Sequence, residues 1–283
     1  MTTDLSTPPL SLSVVIPARD AAEVIDSCLS AVLAQQVDRE FDVVVAVGPS
    51  RDDTVARVDA WAERDPRVCR IDNPSGLTPT GLNRAIAASA GDLVVRIDAQ
   101  AEVPEGYLQR VLDTAGRTGA GNVGGMQRPV GVGGWSTSIA TALRSSFGGG
   151  PAQFRSGSYE GPTDTVYLGA FRRAALEEVG GYDETLIRNQ DYELNWRLRQ
   201  AGYVIWLDPT LVVEYTPRAS LPALWSQYFQ YGRWKRVVVL RSPRSLRARQ
   251  LAAPGLVLGL AASLVLLIVG SWLGLALPAV YVM

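Results

Sequence analysis

After a polar start, the chain enters a run of apolar, β-branched residues, Leu12 to Pro17 (LSVVIP). In the next stretch, Ala21 to Gln36, the apolar residues Val24, Ile25, Cys28, Leu29, Val32 and Leu33 recur at the 3.6 period, which predicts strand and then helix. Phe41 to Val47 (FDVVVAV) repeats the strand, Asp53 to Arg64 the helix, and Arg67 to Ile71 (RVCRI) gives a third strand. Thr80 to Ala90 and Asp92 to Ile97 (DLVVRI) add another helix and strand. The strands are apolar along their length rather than at alternate positions, so both faces need cover. The expected fold is α/β, a Rossmann-like, mostly parallel sheet with helices on both faces. Ligands of such sheets gather beyond the carboxyl ends of the strands.

Gly119-Ala-Gly121-Asn-Val-Gly124 matches the GxGxxG pattern of dinucleotide sites, but its context is wrong. That pattern must follow a strand and open a helix, so that the helix N-terminus faces the pyrophosphate. Here it follows a predicted helix, Glu105 to Arg117, and leads into the extended Asn122-Val-Gly-Gly-Met-Gln. A helix C-cap followed by a close-packed strand accounts for these glycines, and no nicotinamide or flavin site is expected.

Towards the C-terminus the pattern changes. From Leu251 to Met283 there is no charged residue, and Leu256 to Leu277 is almost unbroken in its apolarity. At about 1.5 Å per residue such a run extends roughly 33 Å, and Pro254 to Leu277 is expected to form one transmembrane helix. Pro278-Ala-Val-Tyr-Val-Met reads as the beginning of another apolar segment. The 33 residues from Leu251 to Met283 are thus expected to form a transmembrane part, preceded by an amphipathic, interfacial part (221–250), an α/β domain (11–220) and a disordered start (1–10).

Charge sharpens this division. Apolar residues make up 47% of the 283 residues and charged residues 19%, enough apolar residues for a buried core and too few charges for a disordered chain. Net charge is only −1, yet residues 215–283 hold eight Lys and Arg and no Asp or Glu, leaving 19 basic and 28 acidic residues in 1–214. Seven of the basic residues lie between Arg233 and Arg249, next to the apolar run, and the positive-inside bias places them on the cytoplasmic side of a cell membrane. Trp225, Tyr228, Phe229, Tyr231 and Trp234 are interleaved with basic residues, a mixture that suits the headgroup layer and also fits a solvated helix. An acidic body argues against nucleic-acid binding.

Histidine is absent, which removes imidazole bases, His triads and His-ligated zinc; proton transfer falls to carboxylate, Lys, Tyr or Cys. Cys28 and Cys69 are read as small core residues of a protein in a reducing compartment. Asp98 closes the apolar run Arg96-Ile-Asp98-Ala-Gln100, where a carboxylate and an amide oxygen two positions on suit Mg²⁺ or Mn²⁺; Asp in that place is equally a turn former. Asp191 lies in the first turn of a helix with Asn189 as N-cap, where the dipole favours the ionised form and makes it a proton acceptor; an acidic helix start without chemistry fits the same pattern. In Gln230-Tyr-Gly-Arg233-Trp234, Arg can hold a diphosphate and Trp can stack on a sugar, or the segment is an interfacial anchor.

Three segments in order carry a resemblance: LSVVIPARDAAEVIDSCLSAVLAQ, NPSGLTPTGLNRAIAASAGDLVVRIDAQ and LGAFRRAALEEVGGYDETLIRNQDYELNWRLRQAG. Over about residues 11–240 the chain resembles the family 2 inverting glycosyltransferases of the GT-A fold, and looks closest to the succinoglycan-type bacterial glucosyltransferases. The resemblance implies that Pro17, Ala18 and Arg19 border the nucleotide, that Asn83 lies near the donor, and that Asp98, with Gln100, binds the metal. It also implies that Asp191 is the general base and that Gln230, Arg233 and Trp234 line the acceptor and diphosphate region. Val47-Gly48-Pro49 departs from the family's Asp-Asp-Gly and leaves Asp52 and Asp53 nearby, Gln100 replaces His or Asp, and Gln190-Asp191 replaces Glu-Asp.

The expected function is transfer of a sugar from a nucleotide-diphosphate donor, UDP-linked in the family's manner, to a lipid-linked glycan or other lipid at the membrane, in cell-envelope or exopolysaccharide synthesis. Transfer directly to polyprenyl phosphate, and a non-catalytic nucleotide-sugar-binding scaffold, are the alternatives.

Overall fold

The structure, a computed structural model, describes residues 10–144, 159–218 and 220–275. Helices and strands alternate as the apolar periodicity predicts: β1 (Leu12–Ala18), α1 (Ile25–Leu33), β2 (Phe41–Val47), α2 (Thr54–Arg64), β3 (Val68–Asp72), α3 (Thr78–Ala88), β4 (Leu93–Arg96) and α4 (Tyr107–Thr118). Then come β5 (Asn122–Pro129), α5 (Gly134–Arg144), β6 (Gly161–Thr163), β7 (Tyr167–Arg172), α6 (Arg173–Val179), α7 (Gln190–Gln200), β8 (Ile205–Tyr215), α8 (Leu221–Arg241) and α9 (Ala252–Ile268). Helix α1 starts later than its apolar pattern does. The loop before it is held back by side chains, the Ala21 amide donating to Thr54 Oγ1 at 2.8 Å and the Ala22 amide to Asp52 Oδ2 at 3.0 Å.

The sheet runs β3-β2-β1-β4-β7-β5-β8-β6. Pairings among β1 to β4 are parallel, as is β5 with β8, whereas β7 lies antiparallel to both β4 and β5, and β6 antiparallel to β8. The fold is therefore α/β with a mostly parallel, mixed sheet. Alternate residues of the central strands enter two different cores. Val14, Ile16, Val43, Val45 and Val95 pack with Ile25, Leu29, Val32 and Leu108 on one face, and Val15, Val44 and Val94 with Leu82, Leu176 and Leu194 on the other. Each such side chain contributes about 1.5–3 kcal/mol of hydrophobic burial, which is why the strands are apolar throughout.

The glycines of the GxGxxG run do what the context implied. Gly119 caps α4 at φ 64°, its amide donating to Ala115 O at 3.1 Å. A Cβ at Gly121 would stand 2.7 Å from Tyr203, and one at Gly124 would stand 2.6 Å from Val166, so β5 is close-packed.

Two expectations are corrected. Cys69 is exposed, on the edge strand β3, and only Cys28 is a core residue. Burial, then the charges of Asp98 and Glu102, pushes the Cys28 thiol up to about 12. One thiol is therefore expected to react with a disulfide reagent at pH 8 in the native protein and two in denaturant; two equally fast native thiols would contradict this packing.

The second correction concerns the expected transmembrane helix Pro254 to Leu277. Two compact units, residues 1–236 and 237–283, divide the chain. In the second, α9 spans 17 residues, about 25 Å, and stops. Gly270 takes φ 81°, its amide donating to Leu267 O and that of Ser271 to Leu266 O, which closes the helix before a 3₁₀ turn at Trp272–Leu275. That turn folds back on the helix: a Cβ at Gly274 would stand 2.4 Å from Ser263 O. Among the described residues no helix is long and apolar enough to cross a membrane. Apolarity alone does not make a continuous helix where a glycine can take a left-handed turn. Residues 1–9, expected to be disordered, and 276–283, which include the end of the expected span and the second apolar segment, lie outside the described residues.

Candidate functional site

Strand β4 ends in Arg96, an arginine whose side chain is only 8% exposed. A charge in such a place requires partners, and it has two. Its Nε donates to Asp98 Oδ1 at 2.9 Å, and its Nη1 donates to Asp191 Oδ1. Asp98 stands just past the carboxyl end of β4, Asp191 in the first turn of α7, and the two carboxylates meet on one guanidinium. Burial alone would weaken the hold of Arg96 on its proton, but Asp191 and Asp98 outweigh it and raise its pKa well above the ordinary value.

For Asp191 the sign is the reverse of the helix-dipole expectation. Burial first of all, and then the negative charge of Asp98, lifts its carboxyl above the usual range, against the opposing pull of Arg96. The side chain keeps 43% of its surface, on the side of the cleft it lines, so the lift is tempered by solvent. One cation shared between two carboxylates leaves a net negative charge. A carboxylate so placed is a better proton acceptor than an exposed one.

The cleft around this pair is lined by Arg96, Asp98, Asn122, Tyr167, Asp191 and Asn195, among others. It encloses about 30 Å³ of solvent-sized space, room for a water or two and not for a sugar ring, so a substrate has to lie over its mouth. In its wall Asn122 Nδ2 donates to Asn195 Oδ1 at 2.7 Å and Asn195 Nδ2 to Thr165 Oγ1 at 3.1 Å. Tyr182 lies beneath, its ring 6.0 Å from the Arg96 guanidinium and edge-on to Phe171. Arg96, Asn122, Tyr182 and Asn195 carry no role in the sequence analysis. Of these only Arg96 has a visible signal, a lone charge inside an apolar strand.

The other expected residues fall into three places. Pro17, Ala18 and Arg19 lie at the carboxyl end of β1, where Gly48 N donates to Ala18 O at 2.8 Å. Arg19 lies across two glycines, with its atoms 3.5 Å from a Cβ built at Gly48 and 3.0 Å from one built at Gly76. Gly48 therefore stands where a larger residue would push Gly76 away, a Cβ there meeting the Gly76 Cα at 3.0 Å. Asp52 is already engaged, accepting from the Ala22 amide and from Thr54 N and Oγ1, which pins the β1–α1 loop to the start of α2. Asn83 is likewise engaged. It donates to Tyr182 O and Glu184 Oε1, each at 2.9 Å, and accepts from the Tyr182 amide at 2.8 Å, holding the loop before α7 against α3.

Gln230, Arg233 and Trp234 lie on α8, the first two exposed and Trp234 half-buried. This helix meets the opening of α7: Asn189, at φ 62°, does not cap with its side chain but donates Nδ2 to Tyr231 O at 3.1 Å. One helical turn after Tyr231, the Lys235 ammonium stands 3.1 Å from the centroid of the Tyr192 ring. The Gln230–Trp234 turn is thus brought to the helix end that carries Asp191. Gln100 is exposed, and among the described residues no three acidic or thiol groups cluster so as to hold a metal by themselves.

A family model, Glycosyl transferase family 2, matches residues 13–180, from β1 to the end of α6. The succinoglycan biosynthesis protein ExoA of Rhizobium meliloti (strain 1021) is 35% identical over 222 residues, 78% of this chain and 67% of its own. A dolichyl N-acetyl-alpha-D-glucosaminyl phosphate 3-beta-D-2,3-diacetamido-2,3-dideoxy-beta-D-glucuronosyltransferase of Methanococcus voltae is 22% identical over 237 residues, 81% of this chain and 74% of its own. Among solved structures, the mannosyltransferase PcManGT of Pyrobaculum calidifontis, in complex with GDP-Man and Mn²⁺, aligns with a TM-score of 0.72. It shares 21% identity, over 98% of this chain and 81% of that one, and so speaks for the GT-A fold. With 168 residues matched by the family model and a relative 35% identical over 78% of this chain, the chain belongs to glycosyl transferase family 2 and is a glycosyltransferase.

Proposed function

We propose that the chain transfers a hexose, with inversion at the anomeric carbon, from a UDP-linked sugar to a hydroxyl of a lipid-linked glycan, in cell-envelope or exopolysaccharide synthesis at the cytoplasmic face of a membrane. The observation that carries this reading is the meeting of Asp98 and Asp191 on Arg96 beyond the carboxyl end of β4. Asp191 takes the proton of the acceptor hydroxyl as its oxygen attacks from the side opposite the diphosphate. Pro17, Ala18 and Arg19 border the nucleotide, with Asp52 and Asn83 holding the loops around it. Arg233 meets the diphosphate, and Gln230 and Trp234 meet the acceptor. The sugar acceptor of the Methanococcus voltae relative, a dolichyl phosphate derivative by its name, supports a lipid-linked acceptor.

The donor set at the strand end is all oxygen, which fits Mg²⁺ or Mn²⁺. Asp98 and Gln100 would hold the ion, and the donor phosphates would complete its shell, since no described acidic cluster does so. When bound, such an ion neutralises the charge of the departing diphosphate. The metal in the PcManGT complex supports this assignment.

Membrane attachment is supported by the charge pattern, with no acidic residue after Glu214, and by the exposed apolar side chains of the second unit, among them Val257, Leu258, Leu264, Ile268 and Trp272. The test is a screen of nucleotide sugars against membrane lipid extract, following nucleoside diphosphate release. A UDP-sugar is expected to react only with lipid present, and the protein to co-sediment with anionic vesicles. Release without dependence on lipid, or protein left in the supernatant, would overturn the acceptor or the attachment. Asp98→Ala is expected to lower kcat/KM for the donor by about 100-fold; metal dependence unchanged in that variant would remove Asp98 from the ion.

A further inference from the structure

Arg96 remains without an explanation in the reaction just described. A buried guanidinium is costly to place inside a sheet, and a pair of carboxylates at the edge of a cleft could stay apart without it. The planar fork of the side chain is what brings them together. Nε and Nη1 point to two different carboxylates, Asp98 in the strand-end turn and Asp191 on α7, and Tyr182 supports the guanidinium from below.

We propose that Arg96 is a positioning residue, the internal counter-ion of the Asp98–Asp191 pair, which sets the geometry of Asp191 and competes with a divalent cation for Asp98. The inference rests on the roles given above to those two aspartates. Asp98 Oδ1 is already engaged by Arg96, and the guanidinium charge repels any second cation brought to the same carboxylate. A free divalent ion needs about six oxygen ligands, and here it finds one partly engaged carboxylate and an exposed amide two residues on. A diphosphate adds both oxygens and negative charge, and shifts that balance. Arg96 therefore makes the protein a poor receptor for the bare ion and a good one for the ion together with its donor. At the same time it ties Asp191, on a helix that follows a long loop, to the strand end where the donor is held.

The consequence is open to measurement without any turnover. Mn²⁺ binding to the full chain, followed by calorimetry with no nucleotide sugar present, is expected to be weak in the wild type. It should tighten at least tenfold in Arg96→Gln, which keeps a planar polar end and loses the charge. Arg96→Lys keeps the charge and loses the fork. Its Mn²⁺ affinity is expected to stay within threefold of wild type, while kcat falls at least tenfold with the donor KM changed less than threefold. An Arg96→Gln protein with native circular dichroism that binds Mn²⁺ no tighter than wild type would overturn the proposal, as would Arg96→Lys with wild-type kcat. Should Arg96→Gln fail to fold, the kcat of the Lys variant decides alone. The assignment of the base fails separately: Asp191→Asn retaining full transfer would end that reading and leave the Mn²⁺ comparison standing.

Discussion

Asp191→Asn is expected to lower transfer by about three orders of magnitude while donor binding stays within threefold, the loss typical of removing a positioned general base. Asparagine has the shape of the protonated acid and cannot accept the proton. Burial and the charge of Asp98 hold the Asp191 carboxyl above its ordinary range, so ionising it is harder in the folded protein than in the unfolded chain. The sign for stability follows. A carboxyl whose pKa is raised on folding leaves the fold at full stability below the unfolded pKa, and that stability declines as pH rises through the folded value. At neutral pH the Asn variant is therefore expected to melt no lower than wild type, which separates loss of chemistry from loss of fold. In the wild type, activity requires the ionised form and should fall on the acid side at a pH above the ordinary carboxylate range. Transfer rates and melting curves of the two proteins across pH 4–8 check both statements; an inactive variant that also melts far below wild type would make the loss structural.

The second large effect is on the fold. Gly125→Ala should destabilise the protein by about 3 kcal/mol, roughly a 10 °C fall in Tm for a domain of this size. A Cβ on Gly125 would stand 1.7 Å from Leu211 O and 2.4 Å from Leu211 Cβ. The contact is with backbone of the neighbouring strand, which cannot rotate away, and it falls where the β5–β8 register shifts between Gly124 and Met126. Gly116→Ala is the control. It sits in α4 at an exposed position with nothing within 4 Å of the added methyl, and is expected to be neutral or to stabilise slightly. Chemical denaturation of the two variants beside wild type gives the difference, and equal midpoints for Gly125→Ala and wild type would contradict the close packing of β5 on β8.

Much of the first half of the fold was legible because each signal is local. FDVVVAV predicts β2 to the residue, and the helix expected over Glu105 to Arg117 is found as α4, Tyr107–Thr118. Pairing is not local. Nothing in LGAFRR indicates that β7 inserts antiparallel between β4 and β5, because that place depends on which apolar edge is left uncovered after β4 forms. The C-terminal apolar run misled for a related reason: hydropathy reports where a segment is at ease, and the hydrogen bonds at Gly270 decide where its helix stops.

The candidate site divides in the same way. Asp98 and Asp191 were legible as candidates, an acid at a strand end and another at a helix start. Their meeting was not, since 92 residues of chain lie between them and the group that joins them, Arg96, reads in sequence as a stray charge in DLVVRI. Asn83 and Asp52 show the converse, residues whose chemistry suggests a ligand and whose hydrogen bonds are spent on loops.

The amino-acid sequence by itself determined the alternation of strand and helix, the acidic body and basic, apolar end, and the exclusion of imidazole chemistry, because periodicity, charge and composition act over a few residues or over none. Only the tertiary structure decided the strand order, the break in the last helix and the joining of two carboxylates on one buried guanidinium. Those depend on which distant surfaces exclude water together, and on where a buried charge must find its partners.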